Sequence, residues 1–437
     1  MRILLIGEIC LDFTSPPLLQ SFLSTFSYRS TFNERLIAAV TPNKQAVEIL
    51  EKNREINFNS NHDLVHIVFG TSAAPNAYRV ADGFREKGKT VVLSGNHPSA
   101  LPEEARQHAD AVVVGDILTV WPRVVMDAEK NKLQPFYKSF SFKNKPVLPS
   151  AKNIVFFSKK EKRVRFVNAV EATRGCPDKC VFCQYSNIPG GSTFYTRPVE
   201  DVLEEISLTK EKLLYFKDLS MTINPVYTKK LFKGLKELNK RFICHGNVNV
   251  LARDEELVRL AYEAGCIEWT IGFETFSQTT LNSVHKNSNK VEEYKLVVDR
   301  LHKYDMSVVG TFIFGFDNDT PDVFEKTLMN IEKLGLDGAI FAVLTPYPGT
   351  PLFKKLNEEG RILTRDWSKY NRKDVVFEPK NMTKEELENG LSFVTDEFNS
   401  LGKVVYRILK GFKLGFYPAF AVLAGNLGSI RVGRRKN

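Results

Sequence analysis

Three of the six cysteines fall within eight residues, Cys176-Pro-Asp-Lys-Cys180-Val-Phe-Cys183, directly after a run that reads as a β-strand. Spacing of three and then two residues lets one loop turn three thiolates toward a common point, as an iron–sulfur cluster requires. Three ligands for four irons would leave one iron open to a substrate or cofactor. Zinc is the competing chemistry. A structural zinc site needs a closed set of four ligands, so the loop would have to recruit Cys244 or His245 from a later strand, and no second Cys-x2-Cys pair is present. Inert buried thiols are the third reading. The clustering at a strand-end loop favours iron and sulfur.

The elements around the loop repeat a strand–helix alternation. Strands are expected at Phe166–Thr173, Leu213–Asp218, Phe242–Val248, Cys266–Phe273, Ser307–Gly315 and Gly338–Leu344. Amphipathic helices are expected between them, at 198–211, 225–239, 254–264, 290–304 and 321–334, with Asp254 as an N-cap and Pro198 and Pro321 near helix starts. Six such units describe a partial (β/α)6 barrel whose working residues stand at strand C-termini. Ahead of it, Ile3–Gly7, Leu64–Gly70, Thr90–Gly95 and Ala111–Gly115 are apolar runs ending in Gly, with helices expected near 43–54, 74–87 and 101–108. Continuous apolar strands imply a parallel sheet covered on both faces, a Rossmann-like α/β layer. The G-x-G-x-x-G dinucleotide fingerprint is absent. The expected domains are therefore 1–125, a linker at 126–165 with one hairpin (Ile154–Phe157 and Val164–Val167), the barrel at 166–365, and a helical C-terminal region at 366–437.

With the loop and the barrel in view, the chain resembles the radical S-adenosylmethionine (radical SAM) superfamily, in the branch with a cobalamin-binding domain ahead of the barrel. The C-x3-C-x2-C loop and Phe182 before its last cysteine carry the first resemblance. Leu251-Ala-Arg-Asp-Glu-Glu, Ala264-Gly-Cys, Ile271-Gly-Phe-Glu274 and Tyr347-Pro-Gly-Thr-Pro351 carry the second, with Val91-Val-Leu-Ser-Gly95-Asn-His97 and Ala109-Asp-Ala-Val-Val-Val-Gly115 in the N-terminal third. The resemblance spans about 64–380. It implies that Cys176, Cys180 and Cys183 hold a [4Fe–4S] cluster, that Phe182 contacts the adenine of S-adenosylmethionine, and that Glu274 lies beside that cofactor. It further implies cobalamin in the N-terminal domain and radical modification of an unactivated carbon, with methylation ahead of cyclisation, oxidation or rearrangement. A small-molecule or lipid-like substrate and a reducing partner such as flavodoxin or ferredoxin go with that chemistry.

Three departures stand out. The Asp-x-His-x-x-Gly loop that supplies an axial histidine in many cobalamin proteins is missing, His62, Asp63 and His66 not matching it, and His97 reads better as a turn residue than as a ligand. Asp319 stands where Glu is usual. Lys217-Asp218-Leu219-Ser220 replaces the Gly-Gly-Glu after the second barrel strand, leaving Asp218 at most a hydrogen-bonding role toward the methionine end.

Hydrophobic residues make up 43% and charged residues 26% of the 437, ordinary globular composition. No apolar run suits a signal peptide or a membrane-spanning helix, and six cysteines without a leader imply a reducing cytoplasm. The net charge of +10 is concentrated at the end: Lys403, Arg407, Lys410, Lys413, Arg431, Arg434, Arg435 and Lys436 occupy 401–437 without any acidic residue. A nearly neutral body argues against the alternative of a zinc-dependent nucleic-acid-binding protein. On a helical wheel Lys403, Arg407, Lys410 and Lys413 oppose Val404, Val405, Ile408, Leu409 and Phe412. This is the pattern of a basic amphipathic helix, expected either to pack on the barrel with its charges in water or to contact the inner membrane surface from the cytoplasm.

Overall fold

The computed structural model describes residues 1–8, 32–42, 46–50, 55–139, 149–160, 166–419 and 421–423. The first sheet holds β1 (Ile3–Gly7), β2 (Val47–Ile49), β3 (Leu64–Val68), β4 (Thr90–Ser94), β5 (Ala111–Val114) and β6 (Phe136–Lys138). All neighbours run parallel in the order β2-β1-β3-β4-β5-β6. Ile3, Leu5, Val92 and Val113 enter one core layer, while Leu4, Ile6, Val65 and Ile67 enter the other. Helices on both faces therefore explain why these strands are apolar throughout rather than alternating. Strand order reverses between β1 and β3, and an open α/β sheet has its ligand crevice at the C-terminal ends beside such a reversal.

β7 (Val167–Val170) opens the second sheet, and a short antiparallel pair follows it, β8 (Thr173–Arg174) with β9 (Tyr195–Thr196). The sheet continues through β10 (Leu213–Phe216), β11 (Arg241–Gly246), β12 (Cys266–Glu274), β13 (Ser307–Phe314) and β14 (Gly338–Val343). These six strands are parallel and sit in chain order. Among the described residues β7 and β14 do not pair, so the barrel is partial and open on one side. An α/β sheet, a six-stranded partial barrel and C-terminal helices are thus the architecture expected from the sequence. The Asp254 side chain accepts from Leu257 N at 3.0 Å, as its N-cap assignment requires.

Three expectations fail locally. Residues 47–49, inside the expected helix 43–54, form edge strand β2, because periodicity cannot assign so short an apolar run; 43–45 and 51–54 lie outside the described residues. The span read as a linker contributes β6, which pairs with β5, and a helix at Ala151–Lys160. That helix takes the place of the hairpin arm Ile154–Phe157. Ile154 and Phe157, three apart, both bury against Ala169 of β7 and the helix Phe32–Val40, a spacing that suits one helical face. Of the other arm, 164 and 165 lie outside the described residues and Val167 opens β7 of the barrel sheet.

The third correction concerns the basic helix Leu401–Gly411, which packs the opposite way round from its expected orientation. Lys403 pairs with Glu332 and Glu397 at 2.7 and 2.8 Å, Lys410 with Asp337 at 3.1 Å, and the Arg407 guanidinium lies 3.8 Å from the Phe398 ring centroid. The charges face the barrel, while Val405, Tyr406, Leu409 and Phe412 are exposed. No described helix is long and apolar enough to cross a membrane. Asp254→Ala, which removes a barrel-helix cap, is expected to lower stability by about 1 kcal/mol, measured as a shift of the urea unfolding midpoint at unchanged slope.

Candidate active site

β8 and β9 clasp the base of the cysteine loop, Thr173 opposite Thr196 and Arg174 opposite Tyr195. Asp218, beyond the C-terminus of β10, accepts from Ala172 N at 3.1 Å, Thr173 N at 2.5 Å and Thr173 Oγ1 at 2.7 Å. It is fully buried, and burial pushes its carboxyl up to about 7 in spite of these three donors. Its hydrogen-bonding capacity is spent on the loop base. Gly175 has φ +86°, and a Cβ there would meet Thr193 O at 1.7 Å, so only glycine fits between the clasp and Cys176. Inside the loop Cys176 N donates to Gly191 O at 3.1 Å, and Asn187 Nδ2 donates to the carbonyls of Cys180 and Cys183 at 2.9 and 2.7 Å.

The three cysteines occupy one turn, where Cys183 is within electrostatic reach of both Cys176 and Cys180. Burial pushes the Cys176 thiol up to about 11 and that of Cys180 up to about 12. Among the described residues no three His, Cys, Asp or Glu side chains gather tightly enough for a single metal ion. The fourth ligands that zinc would recruit are engaged elsewhere. Cys244 is buried in the core with its Sγ 3.9 Å from that of Cys266. His245 bonds Tyr215 Oη through Nε2 and Asp218 O through Nδ1, both at 3.1 Å. A soft, three-thiolate donor set on one rigid turn suits an iron–sulfur cluster with an open iron.

Glu274 ends β12 at φ +65° and pairs with Lys286 Nζ at 3.1 Å. Gly272 makes room for that pair, since a Cβ there would lie 2.4 Å from the carboxylate and 3.2 Å from Nζ. Asn289 Nδ2 and Tyr294 Oη both bond Phe273 O, bracing the strained strand end. Burial alone would lower the Lys286 pKa, but Glu274 and Cys180 outweigh it and raise it. Lys286 thus stands between the cysteine turn and Glu274, a role no local sequence pattern announces. Phe182 packs edge-on against Phe316, 6.0 Å between centroids. Asp319 accepts from Gly315 N and Phe316 N at 2.9 and 3.0 Å, capping the turn after β13. His97 lies not in a turn but in the short helix Asn96–Ala100, fully buried and bonded to Glu104 at 3.0 Å, and His66 bonds Ser94 inside the first sheet.

The two sheets present their C-terminal ends to each other. Arg174 Nη1 donates to Asp116 Oδ1, just past β5, at 2.8 Å, while Nε holds Glu171 at 2.9 Å and Tyr195 Oη holds the other Asp116 oxygen at 2.6 Å. Gln184, next to Cys183, donates to Thr71 beyond β3 at 3.0 Å. At the reversal between β1 and β3, Gly70 N donates to Glu8 at 3.1 Å. Tyr185 feels both Glu8 and Cys183 electrostatically. The C-terminal end of the first sheet and the cysteine turn of the second are therefore apposed, joined by the contacts of Asp116 and Thr71.

An open β/α barrel with a three-cysteine loop after its first strand, set against a doubly covered parallel sheet, defines a class of cluster-bearing radical enzymes. Residues 170–331 match the Radical SAM superfamily. The chain is 33% identical to bacteriochlorophyllide d C-12(1)-methyltransferase of Chlorobaculum tepidum over 80% of its own length and 75% of the relative's. It is 30% identical to bacteriochlorophyllide d C-8(2)-methyltransferase of the same organism, over 78% of this chain and 79% of that one. The fold also matches the radical S-adenosylmethionine methyltransferase TsrM of Kitasatospora setae, solved with cobalamin and a [4Fe–4S] cluster, at a TM-score of 0.68 and 13% identity over 99% of both chains. The chain belongs to the radical SAM superfamily.

Gly175→Ala is expected to unclasp the loop. Amide hydrogen exchange across 174–193 should rise relative to the barrel strands; unchanged protection would show that the loop tolerates the side chain.

Proposed function

We propose that the chain is a radical SAM methyltransferase that uses cobalamin to methylate an unactivated carbon of a small-molecule substrate. The observation that carries this reading is the apposition of the first sheet's C-terminal end to the cysteine turn, which suits two cofactors meeting over one substrate. Cys176, Cys180 and Cys183 hold the [4Fe–4S] cluster, and their turn leaves its fourth iron to S-adenosylmethionine. When bound, the cluster supplies the electron that splits the sulfonium, and cobalamin carries the methyl group. Lys286 offsets the negative charge that three thiolates bring into a buried turn, and Glu274 holds Lys286 in place while facing the cofactor. Phe182, fixed by Phe316, offers a ring to the adenine. Cobalamin would be received by the C-terminal end of the first sheet, near Glu8 and Gly70 at the β1/β3 reversal; the buried His97 is not an axial ligand in this reading. An external electron donor completes the cycle. The two similar Chlorobaculum proteins make bacteriochlorophyllide d the first substrate to try.

The test is anaerobic reconstitution with iron, sulfide and cobalamin. About four irons and one cobalamin per chain, with label passing from methionine methyl to product, are expected. Substitution of all three cysteines by Ala should abolish iron uptake and S-adenosylmethionine cleavage. Cleavage without retained cobalamin would move the reading to cyclisation, oxidation or rearrangement, and stoichiometric zinc without iron would overturn it.

The outward face of Leu401–Gly411 and the segment after it favours a membrane contact as a second element of the proposal. Leu401 is 77% and Phe416 72% exposed, with Tyr406, Leu409, Phe412 and Tyr417 on the same stretch. Aromatic and aliphatic side chains of this kind insert at a lipid headgroup boundary. Because Lys403 and Lys410 are tied to the barrel, headgroup contact falls to Lys413 and to Arg431, Arg434, Arg435 and Lys436, the last four in residues outside the description. Leu409→Ser with Phe412→Ser is expected to reduce co-sedimentation with phosphatidylglycerol-containing liposomes at least fivefold; equal sedimentation would remove the contact.

A further inference from the structure

Among the described residues the barrel is open between its terminal strands β7 and β14, and the first domain is tied to both lips of that opening. At the β7 lip, Arg174 reaches from Glu171 to Asp116, and Tyr195 Oη takes the second Asp116 oxygen at 2.6 Å. Close backbone contact makes up the rest of this seam. A Cβ on Gly115 would lie 2.9 Å from Pro189 O, and one on Gly190 would lie 2.9 Å from Ser139 O. The two domains therefore meet here through glycines that leave no room for a side chain.

The β14 lip uses an arm, residues 364–374. Val343 N, at the last residue of β14, donates to Arg372 O at 2.8 Å. The stem of the arm is closed, with Leu363 N donating to Val376 O at 3.0 Å and Glu378 N to Arg361 O at 2.8 Å. The fully buried Tyr370 keeps its shape, donating to Thr364 O at 2.7 Å. At the tip, Trp367 Nε1 donates to both oxygens of Glu104, at 3.0 and 3.2 Å, and its ring stands edge-on to His97, 5.3 Å between centroids. Glu104 also accepts from Tyr78 Oη at 3.0 Å and bonds His97 Nε2 at 3.0 Å, so the carboxylate that the arm grips is itself held. Residues 367–369 pack on Thr71–Ala73, the turn to which Gln184 also donates.

We infer that Trp367 and Glu104 are positioning residues: their bond stops the first domain from swinging about its anchor at β7 and so fixes the span from the cysteine turn to the C-terminal end of the first sheet. This rests on the proposed function, in which those two places carry the two cofactors. A domain held at one edge of an open sheet keeps a hinge motion about that edge, and a second tie at the opposite edge removes it. The stake is geometric, because a misplacement of about 1 Å between reacting groups can cost about a hundredfold in rate. Trp367 and Glu104 act from the far side of the seam, through the placement of the domain.

The test uses the full chain, reconstituted anaerobically with cluster and cobalamin, and needs no substrate. Pulsed electron paramagnetic resonance between the reduced cluster and cob(II)alamin reads the distribution of iron-to-cobalt distances. The unaltered protein is expected to give one narrow distribution. Trp367→Phe, which keeps a ring and deletes only the N–H donor at the tip of the arm, should widen it at least twofold with iron and cobalamin content unchanged. Glu104→Gln, which keeps an oxygen for Trp367, should stay close to the unaltered protein. A distribution equally narrow in Trp367→Phe, or already broad in the unaltered protein, would overturn the inference. Cobalamin lost from Trp367→Phe alone would place Trp367 in the cofactor's own site and overturn it as well. An unaltered protein that takes up a cluster but no cobalamin removes the functional reading and the inference with it, whereas bound cobalamin with no widening removes the inference alone.

Discussion

One guanidinium makes two sheets into one site. Arg174 immediately precedes the cysteine loop and spans from Glu171 at the end of β7 to Asp116 at the end of β5. Its two carboxylates outweigh the burial that opposes its charge. Removing either partner would strand a charge in a half-buried place, which costs far more than the loss of an exposed pair. The clasp of β8 on β9 depends on the same residue, because Tyr195 opposite Arg174 shares its Asp116. The orientation of the cysteine turn, the closeness of Gln184 to Thr71 and the position of Tyr185 all follow from that anchor.

A second constraint is how the polar groups at the strand ends are satisfied. Asp218, Asp319 and Asn289 each direct side-chain atoms at the backbone just past or within a strand C-terminus, and each is buried. Loops at the business end of a barrel carry backbone donors and acceptors that no ladder completes. Here side chains complete them, which keeps the site both irregular and rigid. The resulting geometry leaves Lys286 to pair with Glu274 beside the cysteine turn.

Much of this was legible before any coordinates. The apolar runs from Ile3 to Gly7 and from Ser307 to Phe314 announce buried parallel strands, and Asp254 announces a helix start, because local chemistry decides those features. The cysteine turn was equally plain, its spacing being a local property. What escaped is non-local. Val47–Ile49 becomes a strand because β1 offers an unpaired edge. The helix Leu401–Gly411 turns its lysines inward because Glu332, Glu397 and Asp337 wait on the barrel, and no wheel drawn from one helix contains its neighbour's charges. Lys286 and Glu274 are twelve residues apart in sequence and meet only because β12 ends in a left-handed turn, with Gly272 clearing space.

The bond from Val343 to the Arg372 carbonyl also bears on how the molecule behaves in a crowd. β14 is the last strand of an open sheet, and a bare terminal strand is a template on which another chain can add its own. The donor that such an intruder would seek at Val343 is already taken, while the helix Lys384–Phe398 packs against the same strand, with Phe398 on Phe341. The segment 364–374 and that helix therefore cover part of the free edge of β14, where strand addition would otherwise begin.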